Sequence, residues 1–186
     1  MNAFGPAAGY GACRVAVMAS NRHSSYPRPS LIPLASEPRF AWRVLASGSL
    51  ASLASAAVLA WRGRRETGSP FAAINAPAHW LWGRRSLRRN DASLRHTAVG
   101  ALVHHTSSLF WAVFYEWLQS RRNRISPATV VADAATTTAV AAVVDLKLTP
   151  ERLTPGFERR LSRPSLAGVY VAFAAGLALA ALARRR

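Results

Sequence analysis

Cysteine is almost missing. Cys13 is the single thiol among 186 residues, so no internal disulfide can form and no thiolate cluster can hold a metal. Acid is scarce too: 8 acidic side chains face 24 basic ones, giving a formal charge of +16 and a pI near 11.8. Such an excess points to an anionic partner, either nucleic acid or a lipid surface. The sequence has no glycine-rich phosphate loop, no nucleophile elbow and no His-Glu-x-x-His. Those absences remove the standard phosphate, acyl and zinc chemistries. They leave open only an enzyme assembled from dispersed His and Asp, which is the less favoured reading. Secretory signals are also lacking. Val15-Ala16-Val17-Met18 is too short for an apolar signal core, and Arg14 cuts it off from the residues before. Tyr10 stands where a lipoprotein signal before Cys13 would want an aliphatic residue, and Met18 is an alternative start.

Charge is shut out of four long windows. Residues 44–61, 97–115, 128–144 and 165–183 make up 73 positions and hold one formally charged side chain, Asp133. The other 31 of the 32 charges lie outside them. Random placement would put about a dozen inside, whereas an ionised group at the centre of a bilayer is costly. A soluble amphipathic helix would show a charged face at a 3.6-residue period, and these windows show none. The near-zero mean hydropathy of +0.08 therefore averages apolar spans with basic loops. A nucleic-acid binder would explain the net charge but not four nearly uncharged spans, so no nucleic-acid partner is expected.

The spacing predicts spans at about 42–61, 97–118, 127–146 and 165–183. Residues 1–40, with Pro27, Pro29, Pro33 and Pro38, read as a disordered tail, and 41–186 as the membrane domain. Trp42 and Trp61 stand 19 residues apart, about 28 Å along a helix, which suits an aromatic belt at both interfaces. Gly48, Ser52, Ala56 and Ala60 form one small-residue stripe, and Gly168, Ala172 and Gly176 another. Ser126 and Pro127 read as the cap and first residue of the third span. The segment 70–83 is apolar but too short to cross and contains Pro77. It is expected to lie at the interface or to re-enter shallowly, with Trp80 and Trp82 at headgroup level. Arg84, Arg85, Arg88 and Arg89 follow it as candidate lipid-phosphate contacts. The stretch 148–163 reads as a turn and a short surface helix ending before Pro164. The termini and the 119–127 link carry 11 basic residues and the opposite side 13, so charge does not choose an orientation.

Ile74-Asn75-Ala76-Pro77-Ala78-His79-Trp80-Leu81-Trp82-Gly83, Arg95-His96-Thr97, the run from His104 to Ala112 and the run from Leu148 to Glu158 resemble a family of small multi-pass bacterial inner-membrane proteins. The resemblance covers roughly residues 40–183. It implies a bacterial membrane protein and supplies no mechanism.

Polar groups inside the windows are the candidates for chemistry, because at membrane depth they face the bundle interior and seek partners. His104, His105, Ser108, Asp133, Thr137 and Asp145 form the candidate polar core, and His79, His96 and Glu116 the candidate rim. With antiparallel helices, His104 or His105 falls between Asp133 and Asp145 in depth, so one aspartate could meet a histidine through Thr136, Thr137 or water. Interhelical glue is the plain reading of these groups. The alternatives are a proton or ion conduit, and metal or haem ligation. Bis-histidine haem would need a second copy, because the other windows hold no His. His79, His96 and Asp91 could share a rim metal, though their spacing matches no defined motif. The fold expected is therefore all-α: a four-helix transmembrane bundle with a short interfacial or re-entrant segment and a disordered N-terminal tail. The expected partners are the lipid bilayer of a bacterial inner membrane and a second copy or another membrane protein. The expected role is structural or assembly-type, with no cofactor predicted.

Overall fold

The computed structural model of the chain describes residues 38–185, and those residues contain helices and turns but no strand. The long helix α1 runs Pro38–Thr67. Two short helices follow, α2 (Phe71–Asn75) and α3 (His79–Trp82), and then three long ones: α4 (Val99–Ser120), α5 (Pro127–Val143) and α6 (Arg163–Ala183). The expected tail lies outside the described residues as far as position 37.

Helix α1 exceeds its expected bounds at both ends. Proline costs nothing in a first turn, where its missing N–H would have no partner, so Pro38 opens the helix instead of ending the tail. At the other end the helix passes Trp61 and takes in Arg62, Arg64 and Arg65. It stops only at Gly68, whose φ of +77° is open to glycine and whose N–H reaches Arg64 O at 3.2 Å. Helix α5 starts as expected. Ser126 Oγ accepts from the Thr129 N–H at 3.2 Å, Thr129 Oγ1 accepts from the Ser126 N–H at 2.9 Å, and Pro127 follows the cap. Its last turn, Val144–Leu148, widens into a π turn.

The four long helices form a closed ring. Helix α1 packs most extensively on α6 and then on α4, and α5 packs on α6 and then on α4. All four neighbours are antiparallel, as the pairs Arg43–Glu116, Gln119–Asp133, Asp145–Tyr170 and Ser47–Arg184 require. Each helix turns a stripe of 3.6-residue period inward. On α5 it is Val130, Asp133, Ala134, Thr137, Thr138 and Ala141, and on α1 it includes Ser47, Gly48, Ala51, Ser52, Ser55, Leu59 and Gly63. The α1 stripe is thus rotated from the one expected, since Ala56 and Ala60 are only half-buried. Closest approach falls where a side chain would not fit. A Cβ on Gly176 would lie 2.4 Å from Ala51 Cα, and a Cβ on Gly48 would lie 3.0 Å from Leu109 Cα.

Three of the long helices are long and apolar enough to cross a membrane: Pro38–Thr67, α5 with its π turn (Pro127–Leu148), and Arg163–Ala183. Helix α4, with 22 residues, is long enough but too polar on average, because His104, His105, Thr106, Ser107 and Ser108 interrupt it.

The segment 70–83 is folded into protein. Ala72, Ala73, Ala76, Pro77 and Ala78 are fully buried, and a 3-10 turn over Ala76–Ala78 accommodates Pro77. Gly100 permits this, since a Cβ there would fall 2.0 Å from Ile74 O. Asn75 is buried with every polar atom matched. Its Nδ2 donates to Arg89 O (3.2 Å) and Asp91 O (3.0 Å), and its Oδ1 accepts from Thr97 Oγ1 (2.7 Å). The surface helix expected after residue 148 reduces to turns and one 3-10 turn, Phe157–Arg159, and Pro164 stands inside the first turn of α6. That stretch is pinned by packing. Phe157 and Leu161 are buried, and Gly156, at φ +85°, sits where a Cβ would lie 2.8 Å from His79 Nδ1.

Candidate functional site

Buried polar groups collect at two levels of the ring. At the end where α1 begins and α6 finishes, Glu116 is 0% exposed. It accepts from Arg43 Nε (2.8 Å), Ser47 Oγ (2.5 Å) and Arg184 Nη2 (2.6 Å), and Arg184 Nη1 also donates to Ser47 Oγ (3.0 Å). One carboxylate thus ties α1, α4 and the end of α6. Beside it Asp133, 1% exposed, accepts from Gln119 Nε2 (2.6 Å) and from Arg122 Nε (3.2 Å) and Nη2 (2.5 Å). Arg185 reaches Gln119 Oε1 (3.4 Å) and Ile125 O (2.9 Å), which closes the set. Arg122, outside the helices, has its pKa raised by its hydrogen bond to Asp133. Glu116 was expected at the rim and is instead the most enclosed acid of the bundle. Arginines at the ends of α1 and α6 fold over it, and they lie 73 and 68 residues away in sequence.

The second level lies toward the other end, around a cavity of about 560 Å³ bounded by α4, α5, α6, Pro77, Trp80 and the 149–157 turn. His104, Ser108 and Asp145 line it, so the structure brings His104 to the same cavity as Asp145 and not to Asp133. His104 Nε2 lies 3.0 Å from Ser55 Oγ, whose own proton points to Ala51 O at 2.8 Å. With that proton so placed, Nε2 is the donor to Ser55 and the other ring nitrogen an acceptor. Asp145 Oδ2 accepts from Tyr170 OH at 3.2 Å. Ser108 Oγ turns back to His104 O at 2.8 Å. Thr137 is buried, and its hydroxyl has no hydrogen-bond partner among the described residues. His105 is half-buried and likewise has none there.

The rim residues go to separate places. His79 is buried with Nδ1 2.8 Å from Ala76 O, His96 Nδ1 lies 3.0 Å from Ser86 Oγ, and Asp91 pairs with Arg89 at 3.1 Å. They build no metal site, and no group of three His, Cys, Asp or Glu placed to hold a metal exists among the described residues. Of the four arginines expected to meet lipid phosphate, Arg84 pairs with Glu151 at 3.0 Å and Arg89 with Asp91, while Arg85 and Arg88 are exposed.

The segments 74–83, 95–97, 104–112 and 148–158 converge on this end. Trp80 Nε1 donates to Thr154 O (2.8 Å), Trp82 Nε1 donates to Arg95 O (3.1 Å), and the Arg95 guanidinium stacks 4.3 Å over the Trp82 ring. Phe157 meets His104 edge-on at 6.4 Å. Below them Glu66 of α1 stands in for the missing cap of α6. Its Oε2 accepts from the Ser162 N–H at 2.6 Å, and its Oε1 accepts from the Ser165 hydroxyl and pairs with Arg62 at 3.1 Å. Reading the sequence missed Ser47, Ser55 and Tyr170 as site residues. Ser47 and Ser55 lie eight apart on one helix face, and Tyr170 is the one phenol in an otherwise charge-free window.

Fold and site together define an all-α protein: a ring of four long helices with buried polar groups at two levels, three of the helices able by length and composition to cross a membrane. No family model matches the chain, and neither a curated protein nor a solved structure matches it.

Proposed function

We propose that the chain is an integral membrane protein that crosses the bilayer four times and serves a structural or assembly role. One observation carries this reading: the ring exposes an apolar belt on its outer face while polar groups share its interior with a core of Val44, Val130, Phe173 and Leu177. Its inward stripes hold Glu116, Asp133, Gln119, Thr137, Thr138, Ser47 and Ser55, while Leu45, Leu53, Val131, Val140, Val143, Val171 and Leu179 point outward and exposed. Water tolerates single exposed apolar side chains but not a belt of them around a whole bundle. Helix α4 obeys the same rule. Its Leu102 is 63% exposed and its Phe110 66% exposed, while Ser108 and Glu116 face in, so its low average hydropathy reflects polarity turned away from lipid. Trp42 and Trp61 are both exposed and suit the two interfaces of the first span.

The polar interior supports glue over conduction. Asp133 and Glu116 are held by arginines, and the His104–Asp133 pairing on which a conduit would draw is not formed. Hydrogen bonds of this kind between membrane helices contribute about 0.6–2 kcal/mol each. The resemblance to small bacterial inner-membrane proteins supports that membrane as the location and a second copy or another membrane protein as partner. Alkaline carbonate washing of membranes tests the reading: the protein is expected to stay in the pellet, and release into the wash overturns it. Proton flux into liposomes, compared among wild type, His104→Ala, His105→Ala and Asp133→Asn, is expected to equal that of empty liposomes.

A further inference from the structure

Six of the seven acids among the described residues have an arginine within salt-bridge distance: Glu66, Asp91, Glu116, Asp133, Glu151 and Glu158. Asp145 is the exception, in a chain of net charge +16. It lines the cavity of about 560 Å³, and no arginine or lysine lines that cavity with it. We propose that this cavity binds an amphiphilic organic cation, an ammonium or phosphonium head with an apolar body, with Asp145 as its counter-ion.

A half-buried carboxylate needs either a positive partner or several hydrogen-bond donors. Asp145 has two neutral donors from the protein, the Tyr170 phenol at 3.2 Å and the Trp111 indole, and no arginine or lysine pairs with it among the described residues. Glu158 adds to the demand. It lies near enough for its charge to act on both Asp145 and Tyr170, and among the described residues its one salt-bridge partner is Arg159 at 3.9 Å and its buried Oε2 has no hydrogen-bond partner. Arg159 is itself drawn to Glu151 at 2.6 Å. His104 does not relieve the site, because its Nε2 is engaged with Ser55 Oγ at 3.0 Å. The polar groups of the cavity therefore call for positive charge and repel anions.

The walls suit the rest of such a molecule. Trp80, Phe110, Trp111, Phe157, Tyr170 and Phe173 line the cavity, and aromatic faces attract a cation through the ring quadrupole. About 560 Å³ lies within the range of small-molecule sites. Leu102 and Phe110 belong both to the cavity and to the exposed face of α4, so the opening is continuous with the surface that meets lipid tails. The proposal rests on the membrane reading, which makes that opening a route for an amphiphile. Asp145 stands in the π turn Val144–Leu148 that ends α5, and α5 and α4 pair less extensively than the other neighbours of the ring.

The test uses the purified full chain in neutral phosphatidylcholine nanodiscs and two ions of nearly equal shape and opposite sign, tetraphenylphosphonium and tetraphenylborate. Equilibrium dialysis is expected to show saturable, one-site binding of the cation and only bilayer partitioning of the anion. This comparison needs no variant. Asp145→Asn, which keeps the shape, is expected to weaken cation binding by about tenfold or more, and Asp91→Asn, a surface acid away from the cavity, is expected to leave it unchanged. Cation uptake no greater than into empty nanodiscs, equal saturable binding of both ions, or equal affinity of wild type and a folded Asp145→Asn overturns the proposal. A chain that stays in carbonate-washed membranes yet fails to bind the cation removes this proposal alone. A chain released by the wash removes the membrane reading first.

Discussion

The two polar levels use the same chemical types and arrive at opposite states. Around Glu116 and Asp133, two buried carboxylates meet Arg43, Arg122 and Arg184 within hydrogen-bond distance, and Ser47 and Gln119 fill most of the remaining positions. Around Asp145, a carboxylate meets only neutral donors, the Tyr170 phenol and the Trp111 indole, and open space adjoins it. Closure at the first level follows from helix ends. Helix α1 begins and α6 finishes there, and Arg43 and Arg184 at those ends turn inward onto the acid. At the second level the nearby arginines are engaged elsewhere, Arg160 on Leu87 O (2.8 Å) and Arg159 on Glu151. Satisfied charge inside a bundle holds helices together, whereas unsatisfied charge beside a cavity is what a ligand can answer.

The contrast can be broken most forcefully at Glu116. Glu116→Ala leaves Arg43, Arg184 and Ser47 converging on nothing and is expected to cost about 3–5 kcal/mol of stability, measured by unfolding in mixed micelles. Gly100→Ala sets a methyl group against Ile74 O and is expected to cost about 1–3 kcal/mol, with faster hydrogen exchange over 71–82. Asp145→Asn keeps an acceptor for Tyr170 and is expected to change stability by about 1 kcal/mol or less, so that a loss near that of Glu116→Ala would make the two levels alike. Thr137→Val removes a buried hydroxyl without a partner and is expected to be neutral or slightly stabilising, within about 0.5 kcal/mol. The smallest effect lies outside the helices. The hydrogen bond from Arg159, with the nearby Arg84 charge, holds the Glu151 carboxyl below its ordinary 4.5. A lowered acid pKa contributes stability above the unfolded value and loses it as pH falls through the folded one. Exchange in the 148–160 turn is therefore expected to quicken as pH falls below the ordinary 4.5 while the helices stay protected.

Much of the ring was legible in the sequence because exclusion of charge is a one-dimensional signal. Windows 128–144 and 165–183 became α5 and α6 nearly residue for residue, and Ser126-Pro127 marked the α5 start. Local rules misled where a residue has two meanings. Pro38 can end a tail or open a helix, and Pro77 can break a helix or sit in a 3-10 turn, and only the packing around each decides. Depth along a helix placed Glu116 near an end correctly but could not say that it is enclosed, because its partners come from two other helices. The pairing of His104 with Ser55 instead of Asp133 was illegible for the same reason. Antiparallel order fixes depth, while rotation about each helix axis depends on small residues such as Gly48 and Gly176, whose fit shows only in three dimensions.

A chain that crosses the bilayer four times must hold the outer face of the ring in lipid. Single cysteines at Leu53, Phe110, Val140 and Val171, placed one on each long helix in a Cys13→Ser background, test it most directly with a water-soluble maleimide applied to open membrane sheets. The prediction is that none is labelled until detergent and denaturant are added, while a control cysteine at the exposed Arg85 is labelled at once. Prompt labelling of the four helix positions in intact membranes would contradict it.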